Sequence, residues 1–262
     1  MNLIVCVKQV PRMNVTTGYA KIHNRTHENS IINPYDMYAL ETALRLREVA
    51  GGTVMVLSMG RKSVIKNLLE LLALGADQAV LLNDTRFAGA DTLATAYTLS
   101  MGIKKIGTFD LILCGRRSSD GNTSQVGPAL AEMLGVPCAA NVTEVNTQSS
   151  GLLRCHRATT DSRDTVEIAM PAVLTIHERS NIPRQATLKN LIRCKNKEII
   201  LWALEDIEAD KSRCGSEGSP TQLVKIGSAK VGVRCNFLTG NCSQIVTSVI
   251  DIVEEVCCDK IM

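Results

Sequence analysis

Residues 115–128 form the stretch of the sequence best suited to bind a ligand, because most of them are small or polar. They follow a short apolar run, residues 111–114, and lead into a helical pattern that starts at about Ser124. The first N–H groups of a helix lack partners within it and face the positive end of its dipole, so anions bind there. Gly115 and Gly121 would let the backbone approach a phosphate without an intervening Cβ. The pattern predicts a phosphate-binding loop.

Other roles for these polar residues stay open. Asn122 or Thr123 could instead cap a purely structural helix. Asn33 is held extended by the following Pro34, and its amide could point to a ligand edge, to a neighbouring loop or to a helix terminus. Lys8 follows the first apolar run and could meet a phosphate or extend into solvent. The sequence alone does not separate these roles.

The elements that would position these residues alternate in type along the chain. Short apolar runs predict strands at residues 3–7, 54–58, 79–82 and 111–114, and amphipathic patterns predict helices at residues 36–49, 62–74, 91–105 and 124–134. Strands that alternate with helices are typical of a parallel sheet, whose ligands bind beyond the carboxyl ends of the strands. Four later segments of alternating polarity predict antiparallel strands that extend the sheet: residues 138–145, 152–157, 166–170 and 172–177.

The chain is therefore predicted to be an α/β protein with an open, mostly parallel sheet and helices on both faces. Residues 1–205 are predicted to form the nucleotide-binding domain, and residues 206–262 a linker and C-terminal arm. The reason is that periodicity is lost over residues 210–220, a stretch rich in serine, glycine and charge, before an amphipathic helix at residues 241–257. Such a helix needs a surface to pack against, either this core or another chain.

Composition excludes several classes of function. The 262 residues carry a net charge of +3 and only 3% aromatic residues, which argues against nucleic acid as a partner. The ten cysteines show no paired metal-ligand spacing, and Cys6 and Cys114 are interpreted as packing groups on buried strands. The first apolar run is too short for a signal peptide or membrane span, so we expect a cytoplasmic protein. The four histidines are dispersed, and no catalytic side chain is predicted.

An ordered set of motifs resembles the electron transfer flavoprotein β subunit family. The motifs cover about the first 200 residues in the family's order, and the stretch of residues 156–175 resembles the family signature. They are residues 1–11, Asn33-Pro34-Tyr35, Leu57-Ser58-Met59-Gly60, Leu74-Gly75-Ala76-Asp77, residues 115–128, Met170-Pro171-Ala172-Val173-Leu174-Thr175 and residues 183–190. The resemblance implies a Rossmann-related fold like that of the adenine nucleotide α-hydrolases.

The resemblance also implies a heterodimer. The family's α subunit carries the electron-transferring FAD, while the β subunit buries one nucleotide of its own. In one branch that nucleotide is AMP, with a structural role. In the electron-bifurcating branch it is a second FAD, which accepts a hydride from NADH and sends one electron each to a high-potential and a low-potential acceptor. The arm would then pack on the α subunit.

Site residues follow from the same resemblance. The family's nucleotide contacts fall here on strand ends and on the loop: Cys6, Lys8, Asn33, Met59, Asp120, Gly121, Thr123, Ser124, Gln125 and Val126. The loop pattern adds Gly115 and Asn122 to this set. Residues 184–190 resemble the loop that recognises an acyl-CoA dehydrogenase or related flavoenzyme. Leu188 stands at the position of its anchoring leucine, beside Arg184, Ala186, Thr187 and Asn190.

The branch is indicated by the loop sequence. Asp120-Gly-Asn-Thr-Ser-Gln-Val-Gly-Pro128 is similar to the Asp-Gly-Asp-Thr-Ala-Gln-Val-Gly-Pro of FAD-containing, bifurcating and nitrogen-fixation-type members. Two departures distinguish this chain from those members. Just before the pattern, Ser118-Ser119 replace an alanine and an aliphatic residue, and within it Asn122 stands where an acid is usual. The resemblance therefore favours FAD, with AMP as the alternative.

Two other classes are weaker alternatives. An ATP-pyrophosphatase-type enzyme would carry a Ser-Gly-Gly-x-Asp-Ser loop after the first strand, where this chain has Lys8-Gln9-Val10-Pro11. A stress-response-type module would bind ATP without any partner or redox role. The predicted function is thus that of an electron carrier subunit, with NADH-dependent activity only if it is bifurcating and joined to its α partner.

Overall fold

The computed structural model describes residues 1–12, 30–147, 151–222 and 237–258. Within these ranges the chain forms both strands and helices. The strands are β1 (Asn2–Val7), β2 (Gln9–Pro11), β3 (Ser30–Ile32), β4 (Thr53–Met59), β5 (Gln78–Leu82), β6 (Leu111–Gly115), β7 (Cys138–Thr147), β8 (Leu152–Ala158), β9 (Arg163–Ala169), β10 (Ala172–Ile176) and β11 (Ile200–Trp202). The α-helices are α1 (Pro34–Ala50), α2 (Ile65–Leu74), α3 (Thr92–Ile106), α4 (Val126–Leu134), α5 (Leu188–Cys194) and α6 (Cys242–Cys258).

One large sheet organises the described residues. Its strand order is β11-β5-β4-β1-β6-β10-β7-β8-β9, and neighbouring strands are parallel from β11 to β7. β8 and β9 continue the sheet in antiparallel fashion. β2 and β3 pair with each other outside this sheet. The predicted α/β class with a mostly parallel sheet and an antiparallel extension is confirmed.

Helices cover both faces of the sheet. Successive side chains of a strand point to opposite faces, so β1 contributes to two separate cores. Val5 packs in the core that contains Leu40 of α1 and Leu68 of α2. Ile4 packs in the core that contains Ile103 of α3 and Leu130 of α4. The central strands are therefore buried on both sides, and ligands can approach only at the strand ends and loops.

The direction of β10 corrects one prediction. This strand was expected to be antiparallel, but it lies parallel between β6 and β7, with Ala172 opposite Leu111 and Val173 opposite Cys138. All five residues of β10 are buried, as in an interior parallel strand. The apolar run Ala-Val-Leu-Thr-Ile is thus a continuous buried strand, and the true antiparallel part is limited to β7, β8 and β9.

Residues after β11 pack against α3. The Asp210 N–H donates to the Tyr97 hydroxyl (2.9 Å), and the Arg213 guanidinium lies 4.0 Å from the centre of the Tyr97 ring. A compact unit accordingly extends from Met1 to Leu223, and a second unit, Val224–Met262, contains α6. Residues 206–222 thus belong to the first compact unit, and the C-terminal arm stays a prediction. None of the helices in the described ranges has the length and apolar character needed to cross a membrane.

Candidate functional site

The carboxyl ends of β1, β4 and β6 lie side by side and bring the predicted strand-end residues to one edge of the sheet. Cys6 is opposite Leu57 and Cys114, and Met59 ends β4. Both cysteines are buried, and the pKa of the Cys114 thiol is raised by its hydrogen bond with Cys6 and by burial. The Cys114 thiol therefore stays protonated and neutral, which fits a packing group beside the site.

Gly115, the last residue of β6, is required by the packing of α1. A Cβ at this position would lie 2.6 Å from the carbonyl carbon of Tyr35 and 2.8 Å from the Asp36 nitrogen. Gly121 is different, because a Cβ there would meet only the Ser118 hydroxyl oxygen, at an ordinary 3.4 Å. Of the two glycines predicted to admit a phosphate, Gly115 instead admits the first turn of α1 beside β6.

Residues 118–125 form a turn with two strained positions. The Asn122 N–H donates to the Ser118 carbonyl oxygen (2.9 Å). Asn122 and Ser124 adopt left-handed conformations with φ of 53° and 57°, which are costly for residues other than glycine and concentrate at ligand sites. Residues 120–125, including Asp120 and Thr123, are exposed as whole residues. Turns that contain left-handed residues can gather backbone N–H groups into a concave surface that suits an anion.

The N-terminus of α4 opens onto this turn without a side-chain cap. The helix begins at Val126, two residues later than predicted, and the N-cap residue Gln125 makes no capping hydrogen bond. The Gln125 Oε1 atom instead accepts from the Thr92 hydroxyl (3.0 Å). Neither Asn122 nor Thr123 occupies the cap position, so the purely structural role considered for them is not what the structure shows. The leading N–H groups of α4 are left for a ligand or water.

Lys8 bridges the site from the end of β1. Its Nζ donates to Asp120 Oδ1 at 2.8 Å, and the two side chains are only partly exposed. Burial alone would raise the pKa of Asp120, but the hydrogen bond and the charge of Lys8 hold it below its usual value. The ammonium group thus closes one side of the loop and places a cation beside the uncapped helix.

Asn33 joins α1 to the loop. Its Nδ2 atom donates to Asp36 Oδ1 and to the Arg117 carbonyl oxygen, both at 2.9 Å, and its Oδ1 atom accepts from the Ser119 N–H at 3.1 Å. Asn33 is fully buried. Of the roles left open by the sequence, the structure shows contact with a neighbouring loop, and the amide is already fully used.

Asp36 is a site residue that sequence reasoning missed. It is buried, and its Oδ2 atom accepts from the Lys8 backbone N–H at 2.8 Å. Burial raises the pKa of Asp36 to about 7, although hydrogen bonds from Lys8 and Asn33 oppose that shift. One signal was present in the sequence: Asp36 stands four residues before Leu40 and so shares the apolar face of α1.

The predicted partner-recognition loop is pinned to α1 at one end and exposed at the other. Arg184 donates to the buried Glu41 through Nε (2.8 Å) and to Glu48 through one terminal nitrogen (2.6 Å). The Thr187 hydroxyl caps α5 by accepting from the Asn190 N–H (3.3 Å). Ala186 packs against the core, while Leu188 is 73% exposed. The structure therefore assigns Arg184 to anchoring and leaves Leu188 on the surface.

The described residues contain no group of three or more histidine, cysteine or acidic side chains placed to hold a metal ion. What the edge of the sheet does present is a strained turn, an uncapped helix and a lysine. Together with the sheet order, these features define an α/β protein of the Rossmann-related class with a loop suited to bind a phosphate.

Comparison with known proteins gives the family. The model of the electron transfer flavoprotein domain matches residues 22–207. An electron transfer flavoprotein subunit beta from Thermoanaerobacterium thermosaccharolyticum is 39% identical over 254 residues, which cover 96% of this chain and 97% of that protein. One from Clostridium acetobutylicum is 41% identical over 236 residues (88% and 89%). Subunit CarD of the caffeyl-CoA reductase-Etf complex from Acetobacterium woodii is 37% identical over 243 residues (92% of each). The chain belongs to the electron transfer flavoprotein family, as a β-type subunit.

Proposed function

We propose that this chain is the nucleotide-binding half of a heterodimeric electron transfer flavoprotein and that it holds FAD at the loop between β6 and α4. The observation that carries the proposal is the uncapped N-terminus of α4 beside the left-handed residues Asn122 and Ser124. A helix start of this kind satisfies phosphate oxygens with backbone N–H groups. In a family of electron carriers, a phosphate site at this edge of the sheet fits an adenine cofactor.

The residues around the loop are proposed to have three roles. Val126 and Gly127 present the first N–H groups of α4, and Lys8 supplies a cation that can neutralise phosphate charge once it leaves Asp120. Asn33 and Gly115 hold the loop in place from below, and Cys6 and Met59 line the apolar end of the strands. FAD would supply the electron chemistry, whereas the protein supplies its placement and its electrostatic surroundings.

FAD is preferred over AMP on the sequence of the loop, because Asp120-Gly121 and residues 125–128 are similar to those of FAD-containing members. AMP remains the alternative. Gly127 packs its α-carbon against the Thr175 side chain, where a Cβ would collide with the Thr175 methyl group. This contact places the start of α4 beside the carboxyl end of β10.

The electron donor and acceptor are proposed by likeness. The name of the CarD protein associates it with a caffeyl-CoA reductase complex, and a relative from Anaerotignum propionicum is named as an electron transfer subunit of an acryloyl-CoA reductase. We infer that this chain likewise serves an acyl-CoA dehydrogenase or related flavoenzyme in the cytoplasm through the loop that exposes Leu188. Transfer from NADH, by electron bifurcation in the FAD-containing branch, is the finer form of the proposal.

Counting the cofactors tests this proposal directly. The full chain is co-expressed with an electron transfer flavoprotein α subunit, the purified complex is denatured, and FAD and AMP are measured by chromatography. Two FAD per heterodimer is the expected result. One FAD with one AMP would move the chain to the AMP branch, and a stable complex with a single FAD and no AMP would remove the proposed nucleotide site.

The function of the loop is tested separately. Exchanging Gly127 for alanine should disturb the first turn of α4 and lower nucleotide occupancy, whereas the same exchange at Gly135, where a Cβ would meet nothing within 4 Å, should leave occupancy unchanged. Gly135 has a φ of 67°, so its variant loses some stability, and occupancy is therefore compared at a temperature where both variants are folded. Equal occupancy in both variants would argue against the loop as the site.

A further inference from the structure

The carboxyl group of Asp36 is a buried acid for which the proposed function gives no role. It lies in the first turn of α1. Each of its oxygens accepts a hydrogen bond from a residue that precedes this helix. Oδ2 accepts from the Lys8 backbone N–H at 2.8 Å, and Oδ1 accepts from Asn33 Nδ2 at 2.9 Å. The side chain therefore ties the end of β1 to the start of α1.

Asn33 extends this tie to the candidate phosphate loop. The same Nδ2 atom reaches the Arg117 carbonyl oxygen (2.9 Å), and Oδ1 accepts from the Ser119 N–H (3.1 Å). Gly115 completes the arrangement, because the space for its missing Cβ is filled by the backbone of Tyr35 and Asp36. Both ends of residues 115–119 are thus held at the start of α1 by two hydrogen bonds of the Asn33 side chain and by one close contact at Gly115.

The charged groups around Asp36 do not neutralise it by direct pairing. The Lys8 ammonium bonds to Asp120, and the Arg117 guanidinium bonds to the Tyr35 hydroxyl (2.7 Å) and lies over the Tyr35 ring. The neighbouring Cys114 thiol is neutral. Burial raises the pKa of Asp36 to about 7, so its ionised form is held at a cost in stability. Acids kept under such conditions concentrate at functional sites.

We propose that Asp36 is a positioning residue for the nucleotide: together with Asn33 it fixes the loop of residues 115–125 in its binding conformation without touching the ligand. This inference rests on the proposed function, since it takes that loop as the phosphate site. The Asp36→Asn exchange isolates the role. The amide has the same shape, but its NH2 group must face either the Lys8 N–H or the Asn33 Nδ2 group. Because both of these groups are donors, one of the two hydrogen bonds is lost.

The test measures nucleotide affinity and thermal stability together. The full chain, co-expressed with the α subunit and freed of nucleotide, is titrated with FAD and with AMP at pH 8. Asp36→Asn is expected to weaken binding of the cognate nucleotide about tenfold, the loss expected for one broken hydrogen bond of about 1.4 kcal/mol. Its melting temperature should stay equal to that of the wild type or rise, because a buried charge has been removed. A merely structural role would lower stability and leave affinity unchanged.

Asp84→Asn is the matched control. Asp84 is also nearly buried, but it pairs with Arg86 and caps the 3-10 turn Thr85–Phe87. It follows β5, which β4 and β1 separate from β6 in the sheet. That variant should lose stability and keep its nucleotide affinity. If Asp36→Asn does not yield folded protein, Asp36→Ser, which keeps one smaller acceptor, is measured in the same way.

Two results would overturn the inference. They differ in whether the proposed function is also overturned. Unchanged affinity of the Asp36 variants for a nucleotide that the wild type binds would sink the positioning role and leave the proposed function standing. A wild-type complex that binds neither FAD nor AMP would remove both.

Discussion

At the scale of single residues, the site depends on polar groups that are buried and paired across elements. Asn33 uses every part of its amide within the protein, and Asp36 receives N–H groups from two elements. Buried polar groups of this kind hold a loop only while their partners match. Residues 117–119 of the candidate phosphate loop are therefore held in place by the Asn33 side chain, which in turn bonds to Asp36.

The pKa of Asp36 predicts how stability depends on pH. Because folding raises this pKa from 3.8 to about 7, the folded state binds the proton more tightly than the unfolded state. Its contribution to stability is therefore present in full below pH 4 and is lost as pH rises through 7. The loss has an upper bound of about 4 kcal/mol, at about 1.4 kcal/mol per tenfold change in the ionisation constant. Denaturant unfolding at pH 5.5 and pH 8 measures it, and Asp36→Asn should show a smaller difference between these pH values than the wild type.

Two glycines of the loop provide a matched pair of substitutions. Gly115→Ala should lower the free energy of unfolding by about 1–3 kcal/mol, because the new Cβ overlaps the first turn of α1. Gly121→Ala should change it by no more than about 0.5 kcal/mol, since its Cβ would be in ordinary contact with Ser118. Urea unfolding of both variants decides the matter. If Gly121→Ala lowered the free energy of unfolding and Gly115→Ala did not, the packing described for the end of β6 would be contradicted.

At the scale of elements, periodicity located most strands and helices, but it did not show how the strands pair in the sheet. The cores of β1, β4, β5, β6 and the first four helices lie where apolar patterns predict them. The direction of β10 could not be read from its sequence, because a continuous apolar run is compatible with any buried strand. β2, β3 and β11 have three residues each, too few for a periodic signal, and α5 has seven. The start of α4 was misplaced because Ser124 is a common cap residue, whereas here it adopts a left-handed conformation before the helix.

The anchoring of the predicted partner-recognition loop can be tested through Arg184. Replacing it by alanine leaves the buried Glu41 with Arg45 as its remaining ion-pair partner among the described contacts. We expect a loss of about 2–3 kcal/mol, below the usual range for an unpaired buried charge because Arg45 remains. Lys211→Ala, which breaks the exposed pair with Glu217, should change stability by no more than about 0.5 kcal/mol. Chemical denaturation compares the two, and equal effects would mean that the Glu41 pair does not anchor the loop.

Leu188 should behave in the opposite way. Its side chain is 73% exposed, so Leu188→Ala should leave the melting temperature unchanged. If the loop docks on a dehydrogenase, the same change should raise the KM for that partner several-fold in an electron-transfer assay with the intact heterodimer. Val49→Ala, an exposed apolar change at the end of α1, is the control and should leave KM unchanged. A normal KM for the Leu188 variant would remove this residue from the partner surface.

At the scale of the whole molecule, the division of the chain depends on contacts that composition does not reveal. Residues 206–222 look like a linker because they are polar and lack periodicity, yet they pack through hydrogen bonds with backbone groups. The Ser216 N–H donates to the Ala88 carbonyl oxygen at 2.9 Å, and Gly215 fits where a Cβ would lie 2.8 Å from that same oxygen. Ile207, Ala209 and Cys214 are also buried in the core that contains Ile103 of α3. Their spacing fits neither a helix nor a strand, so no periodic apolar pattern marks them.

Truncation at two positions tests where the nucleotide-binding unit ends. A chain of residues 1–223 should fold with a single cooperative transition and retain its nucleotide loop, because the first compact unit is complete at Leu223. A chain of residues 1–205 lacks the contacts of Asp210 with Tyr97 and of Ser216 with Ala88, and the surface of α3 that they cover becomes exposed. We expect this shorter chain to melt several degrees lower, since about 1 kcal/mol shifts the midpoint of a domain this size by about 2–4 °C.

The role of residues 224–262 is tested by mixing each truncated chain with the α subunit and separating the mixture by size-exclusion chromatography. If residues 224–262 are the arm, the chain of residues 1–223 keeps its fold but no longer forms the heterodimer. Equal melting temperatures for the two truncated chains would place the boundary at residue 205 after all.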